Sequence, residues 1–175
     1  MRIISGTHKG IKINPPNGLP IRPTTDRAKE SLFSILDNRY YFETKNVLDL
    51  FSGSGNISFE FASRGVKSIT AVDNNFACTN FIASNSTRYN FNITTINSDC
   101  LDYLRNCKQQ FNFIFADPPY QYKNYNKLKE VILKNKLIKE DGILIIEHDK
   151  NTTFNGQNIE LRKYGAVNFS FFEFY

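Results

Sequence analysis

From Asn46 onward, short apolar runs alternate with segments of helical spacing, and this alternation constrains the chain more than any other feature. "VLDLF" precedes "NISFEFASR", "SITAVD" precedes "FACTNFIASNSTRYN", "ITTIN" precedes "DCLDYLRNC" and "FNFIFAD" precedes "LKEVILKN", with "GILIIEH" as a fifth run. Strands joined by helical crossovers give a mostly parallel, doubly wound α/β sheet. The tail departs from the pattern. "NIELRKY" and "VNFSFFEF", separated by Gly165 and Ala166, predict a closing antiparallel hairpin reached through a loop at "DKNTTFNGQ". Upstream, "RIISGTHKGIKI" predicts two short strands around a polar turn, and the Pro/Gly-rich "NPPNGLPIRP" excludes both helix and central strand. A helix starts near Thr24 to Asp26, with Ala28, Leu32, Ile35 and Leu36 as its apolar stripe.

In such sheets ligands bind outside the carboxyl ends of the strands, so the chemistry is sought there. "LDLFSGSGN" follows the first strand, where Gly53 and Gly55 let backbone approach a ligand and a helix start offers N–H groups. The third glycine of the dinucleotide fingerprint is replaced by Ser58, which weakens a pyrophosphate reading. Asp73 ends the second strand at the spacing expected of a ribose-gripping acid. Asp49 places a carboxylate beside the loop, which repels a pyrophosphate and suits a ligand carrying an ammonium and a sulfonium. The sign of that charge favours S-adenosylmethionine over NAD. Asp99, after the third strand, is both a helix N-cap and a candidate acceptor for an adenine amino group. After the fourth strand, "DPPY" holds Asp117, Pro118, Pro119 and Tyr120 in a rigid turn, because neither proline has an N–H to continue a strand. A lone Asp-Pro-Pro is ordinarily a strand stop; beside the glycine loop it becomes a candidate site.

Charge is unevenly placed. The net charge is +5, and the first 25 residues carry Arg2, Lys9, Lys12 and Arg22 with no acid. A basic arm of this kind suits a phosphate backbone. Cys78, Cys100 and Cys107 have no metal-site spacing and read as buried, reduced thiols of a cytoplasmic protein. No run approaches a membrane-spanning length, and the start lacks the pattern of a secretory signal.

"DLFSGSG" followed by "DPPY" resembles the amino methyltransferases, and "RIISGTHKGIKI", "IRPTTDRAKESLFSIL" and "LDLFSGSGNISFEFASRG" narrow the resemblance to the RsmD-type 16S ribosomal RNA (guanine-N2) methyltransferases. It covers nearly the whole chain. It departs at Ser52, usually alanine, at Lys29, usually arginine, and at Asp73, more often glutamate. The resemblance implies an α/β, Rossmann-like class I methyltransferase fold, with a small N-terminal β-hairpin and linker over 1–23 and the catalytic domain over 24–175. It implies methylation of the exocyclic N2 amine of the guanine conventionally numbered 966, with S-adenosylmethionine as cofactor and no metal. The expected partner is 16S rRNA in the small ribosomal subunit or an assembly intermediate, met by a monomer without a membrane. Asp117, Pro118, Pro119 and Tyr120 then form the catalytic group. Thr24, Thr25, Asp49, Phe51, Gly53, Gly55, Asp73, Asn74, Asp99 and Cys100 form the cofactor site. Arg2, His8, Lys9, Lys12, Arg22 and Arg27 are the candidates for RNA contact. The competing readings are a DNA adenine-N6 or cytosine-N4 methyltransferase, a non-catalytic RNA-binding assembly protein, and an NAD-dependent oxidoreductase. At the fifth strand's end, Glu147 reads as a site rim or plain strand end, and His148 as exposed.

Overall fold

The computed structural model describes residues 1–19, 25–119, 121–156 and 158–173. After the arm, α1 (Asp26–Arg39) leads into β1 (Asn46–Leu50), α2 (Asn56–Ser63), β2 (Ser68–Asp73), α3 (Phe76–Tyr89), β3 (Ile93–Asn97) and α4 (Cys100–Asn106). β4 (Phe111–Ala116), α5 (Tyr125–Lys134), β5 (Ile138–His148), β6 (Ile159–Tyr164) and β7 (Val167–Glu173) complete the order. The seven strands form one sheet in the order β3-β2-β1-β4-β5-β7-β6. The first five are parallel, and β7 is antiparallel to both β5 and β6. The expected alternation and closing hairpin are both present, with β7 inserted between β5 and β6.

The chain reverses direction across the sheet at β1 and β4. The connection from β1 runs outward to β2 and β3, while β4 starts the other half, so the carboxyl ends of β1 and β4 diverge into a crevice. Two layers cover the sheet. Leu32, Phe33 and Leu36 of α1 pack with Phe61 of α2 on Phe113, Phe115 and Phe169. On the other face, Leu104 of α4 and Leu128 and Ile132 of α5 pack on Leu48, Leu50 and Ile114. The bulge between Phe111 and Phe113 puts Phe111 on the same face as Ile114. The α5 and β5 segments extend further toward the amino terminus than their apolar runs indicated, because Tyr125 and Ile138 pack at their ends. Among the described residues no helix is long and apolar enough to cross a membrane.

The N-terminal hairpin is less regular than expected. Its arms are tied by Ile3 N to Ile11 O (2.9 Å) and Ile13 N to Met1 O (3.0 Å), but only Arg2 and Lys12 form a ladder bridge. The reason is Glu60, whose carboxylate takes the amides of Ile4 (2.8 Å) and Ser5 (3.1 Å) away from a strand partner. The arm therefore lies along α2 from top to bottom. Met1 reaches Ser54 beside the amino end of α2, and Thr7 and His8 bond to Ser63 at its carboxyl end. Gly6 permits the closest approach: at φ +84 its missing Cβ would fall 1.9 Å from the Ser63 carbonyl oxygen.

Candidate functional site

A cavity of about 430 Å³ opens where β1, β2 and β4 end. Its wall includes four carboxylates: Asp49 of β1, Asp73 of β2, Asp99 before α4, and Asp117 after β4. The loop after β1 is forced tight. Phe51 adopts φ 58, and Gly53 and Gly55 adopt φ 51 and 78. A Cβ on Gly55 would meet Ile82 at 2.8 Å and Phe59 at 3.0 Å, so the loop packs flat on α2 and α3. Asp73 fastens this loop from the side, accepting from Gly53 N and from Asn75 N, each at 2.8 Å. Each oxygen has the capacity for a second hydrogen bond.

Asp49 is fully buried and accepts a 2.5 Å hydrogen bond from the Ser58 hydroxyl. Burial, with smaller contributions from Asp117 and Asp73, pushes its carboxyl up to about 7 despite the Ser58 bond. Ser58 thus occupies the fingerprint's third glycine position as the donor that holds Asp49. Asp99 caps α4, its Oδ1 accepting from Leu101 N (2.8 Å) and Asp102 N (3.1 Å), and it still lines the cavity. The expected N-cap is present, and the same residue reaches the cavity wall.

The turn after β4 closes the cavity. Asp117 N donates to Leu50 O (3.3 Å), Pro118 and Pro119 line the wall, and Pro119 O accepts from Tyr122 N (2.8 Å). Tyr122, a residue without a role in the sequence reading, also lines the cavity. Its ring meets Phe51 at 5.1 Å and Tyr125 at 5.3 Å, edge to face, and burial pushes its phenol up to about 12. The Tyr122 hydroxyl and the Ser52 hydroxyl are buried without a hydrogen-bond partner among the described residues. Buried orphan hydroxyls on a cavity wall fit a ligand with polar groups, and four carboxylates fit a ligand bearing positive charge.

The other expected cofactor residues fall differently. Asn74 lines the cavity beside Asp73. Gly55 shapes the loop from behind. The Cys100 thiol points into the core under α4, its ionisation pushed up to about 12 by burial, and does not line the cavity. Thr25 caps α1, accepting from Ala28 N at 3.2 Å, also away from the cavity wall. Thr24, Tyr120 and Arg22 lie outside the described residues.

The candidates for RNA contact divide between two ends of the arm. Arg2, half-exposed, approaches Asp26 (3.5 Å) and Glu30 (3.6 Å), with Lys12 opposite it at the cavity end. Lys9 and His8 sit at the tip, beside the other end of α2. His8 packs edge-on against Phe91 (4.5 Å) rather than standing in solvent. Arg27 is exposed on the first turn of α1. The His148 expectation is corrected: the residue is 3% exposed, with its ring between the Ser170 hydroxyl and the Asp149 carbonyl, each at 2.8 Å. The carbonyl can only accept, so Nδ1 carries the proton, and burial lowers the ring's basicity. Glu147 is fully buried in the sheet rather than at a rim.

Sequence reasoning also missed a buried charge cluster behind the cavity. Lys29, 1% exposed, donates to Arg2 O (2.6 Å) and to Asn56 Oδ1 (2.8 Å) and lies 3.4 Å from Glu60. Glu60 also binds Arg64 at 2.8 Å, besides the two arm amides. Asn56 lines the cavity, so Lys29 links the arm to the cavity wall. The four-residue spacing of Glu60 and Arg64 was visible; the burial of Lys29 was not.

The chain matches, over residues 1–174, the family model described as "Conserved hypothetical protein 95". It is 34% identical to the Bacillus subtilis "Putative rRNA methyltransferase YlbH", over 86% of this chain and 83% of that protein. It is 30% identical to the Haemophilus influenzae "Ribosomal RNA small subunit methyltransferase D", over 86% of this chain and 80% of the relative. Among solved structures, "Putative methyltransferase yhhF" from Escherichia coli superposes with a TM-score of 0.86 at 25% identity, covering 100% of this chain and 99% of that one. A coclaurine N-methyltransferase bound to SAH superposes with a TM-score of 0.59 at 25% identity, over 72% of this chain and 36% of that one.

Proposed function

This chain belongs to the Conserved hypothetical protein 95 family, and from that premise we propose that it methylates the exocyclic N2 amine of a guanine in 16S rRNA. At the coarser level it is a methyltransferase acting on ribosomal RNA, as its relatives' names have it, and S-adenosylmethionine-dependent, as the neighbour crystallised with SAH supports. The observation that carries the finer reading is Asp117, followed by two prolines, on the wall of a cavity shared with Asp49, Asp73 and Asp99.

The residues divide the work. Asp73, Asn74 and Asp99 offer acceptors for hydroxyl and amino groups of the cofactor, Asp49 faces its positive charge, and Phe51 and Tyr122 provide apolar walls. When bound, S-adenosylmethionine supplies an electrophilic methyl group on a sulfonium. The guanine amine is a poor nucleophile because its lone pair is delocalised into the ring. The Asp117 carboxylate and the Pro118 carbonyl each accept one N–H of that amine, which localises the lone pair and aims it. The contribution is positioning and electrostatics, and the surplus proton leaves to Asp117 or water. Pro119 stiffens the turn through its carbonyl bond to Tyr122 N. Tyr120 is assigned to stack on the extruded base. The arm over 1–23 is assigned to RNA, with Arg2 and Lys12 nearest the cavity and His8 and Lys9 further out; Arg22 and Arg27 are assigned to RNA with them.

The test is transfer of labelled methyl to small ribosomal subunits lacking N2-methylguanine, with the product nucleoside identified and wild type run beside Asp117→Ala. N2-methylguanine from wild type alone supports the reading. Transfer to DNA in place of the subunits, or a different methylated nucleoside, overturns it.

A further inference from the structure

Carboxylates are scarce in two stretches of this chain. Residues 1–25 contain none, and between Glu60 and Asp99 the chain has one, Asp73, which is held inside the cavity. The fold puts these stretches together. The arm lies on α2, α2 packs beside α3 through Phe59 and Ile82, and β3 is the edge strand next to them. At the corner furthest from the cavity, where the arm's tip meets the end of α3, His8 lies against Phe91 (4.5 Å) and Tyr89 (6.0 Å). The Arg88 guanidinium sits over the Tyr89 ring at 5.3 Å. Asn92 donates to Lys67 O at 2.7 Å, which brings Lys67 to the same corner. Lys9, Lys67 and Arg88 are exposed, and among the described residues none of them is in an ion pair.

We infer that this corner, built from Lys9, Lys67, Arg88 and the half-exposed rings of His8, Tyr89 and Phe91, is a second RNA-docking surface, separate from the cavity mouth. The inference rests on the rRNA reading above. Several cations elsewhere on the surface are paired with acids, Arg105 with Asp102, Lys127 with Glu130 and Arg162 with Glu160, and others, such as Lys108 and Lys134, stand apart from any cluster of rings. Here three exposed cations lie together in no ion pair among the described residues, which leaves their charge for phosphates. Aromatic rings between cations offer faces for unpaired bases, which a protein partner would not require. The helix α2, eight residues long, separates this corner from the cavity by about 12 Å. The surface therefore grips RNA flanking the target rather than the target itself.

The experiment is binding of the full chain to protein-free 16S rRNA transcript between about 50 and 200 mM salt. Wild type, Lys9→Ala/Lys67→Ala/Arg88→Ala, and a control, Lys108→Ala/Lys134→Ala on the α4–α5 layer, are compared, with S-adenosylmethionine affinity measured for each. The expected result is a Kd for RNA raised about tenfold or more, and a salt slope shallower by about three, in the triple variant alone. Cofactor affinity stays at the wild-type value. A triple variant indistinguishable from the control overturns the inference. A loss seen on assembled subunits but absent on protein-free RNA overturns it in favour of a ribosomal-protein contact. Wild type that binds neither RNA nor subunits overturns the rRNA reading itself, a different outcome from failure of the patch alone.

Discussion

Two groups of charged side chains lie on either side of Asn56, and they are built on opposite plans. Behind it, Lys29 and Arg64 are balanced by Glu60 and by Asp37, which pairs with Arg64, and the spare acceptor capacity of Glu60 is taken by the amides of Ile4 and Ser5. In front of it, Asp49, Asp73, Asp99 and Asp117 face one cavity. The first group is complete without a ligand and fixes the arm. The second is acidic throughout, and burial of Asp49 near its neighbours holds that carboxyl at about 7. A charge cluster that closes on itself is structural; one that stays one-sided in a cavity is assembled for a partner of opposite sign.

Breaking the closed cluster has the largest effect. Glu60→Ala leaves Lys29 buried without its acid and two arm amides without an acceptor, so a loss of about 3–5 kcal/mol is expected by denaturant unfolding. If the cluster were incidental, the loss would be that of a surface site. Breaking the open group at Asp117 acts on rate instead. Asp117→Ala is expected to lower turnover by about 10²–10³ fold in single-turnover methyl transfer, with the folded state unchanged. Gly55→Ala tests the loop between them: strain at φ 78 and contact with Ile82 predict a cost of about 2–3 kcal/mol, read as a fall in Tm together with weaker cofactor binding.

The smallest change sharpens the contrast most. Asp49 holds its proton more tightly folded than unfolded, since its carboxyl sits at about 7. The stability it contributes is therefore greatest at acid pH and declines as pH rises from the ordinary carboxylate range toward 7. Asp49→Asn keeps an acceptor for Ser58 and removes that decline. The ligand-free variant is expected to be more stable than wild type at pH 8, by about 1–2 kcal/mol, while binding S-adenosylmethionine more weakly. In the closed cluster, by contrast, no single removal is expected to stabilise.

The fold was legible wherever the residues between glycines followed one period. "SITAVD" is β2 residue for residue, and "ITTIN" is β3. The hairpin at the amino end was less legible because its regularity is overridden by a tertiary contact: no local pattern says that Glu60 takes the Ile4 and Ser5 amides. The cavity was largely legible, since Asp49 and Asp73 lie at or next to the ends of their strands, Asp117 directly follows one and Asp99 caps a helix. Cys100 was not, because the capping geometry of Asp99 turns the next side chain inward. Tyr122 was hidden for the same kind of reason: its place depends on the Pro119 carbonyl, which folds the turn back toward Phe51. His148 read as exposed because a histidine at a strand end usually is; here β7 pairs as far as His148, through Asn168, and Phe154 covers the ring.

The most direct test of the contrast is proton release on binding S-adenosylmethionine, by calorimetry at pH 6 and pH 8 in buffers of differing ionisation enthalpy. The expected result for wild type is tighter binding at pH 8, and a proton released at pH 6, because a cationic ligand draws Asp49 into its charged form; in Asp49→Asn the release disappears. Wild-type binding with no proton release at pH 6 and no gain at pH 8 would contradict the claim that the open carboxylate group is completed by a positively charged cofactor.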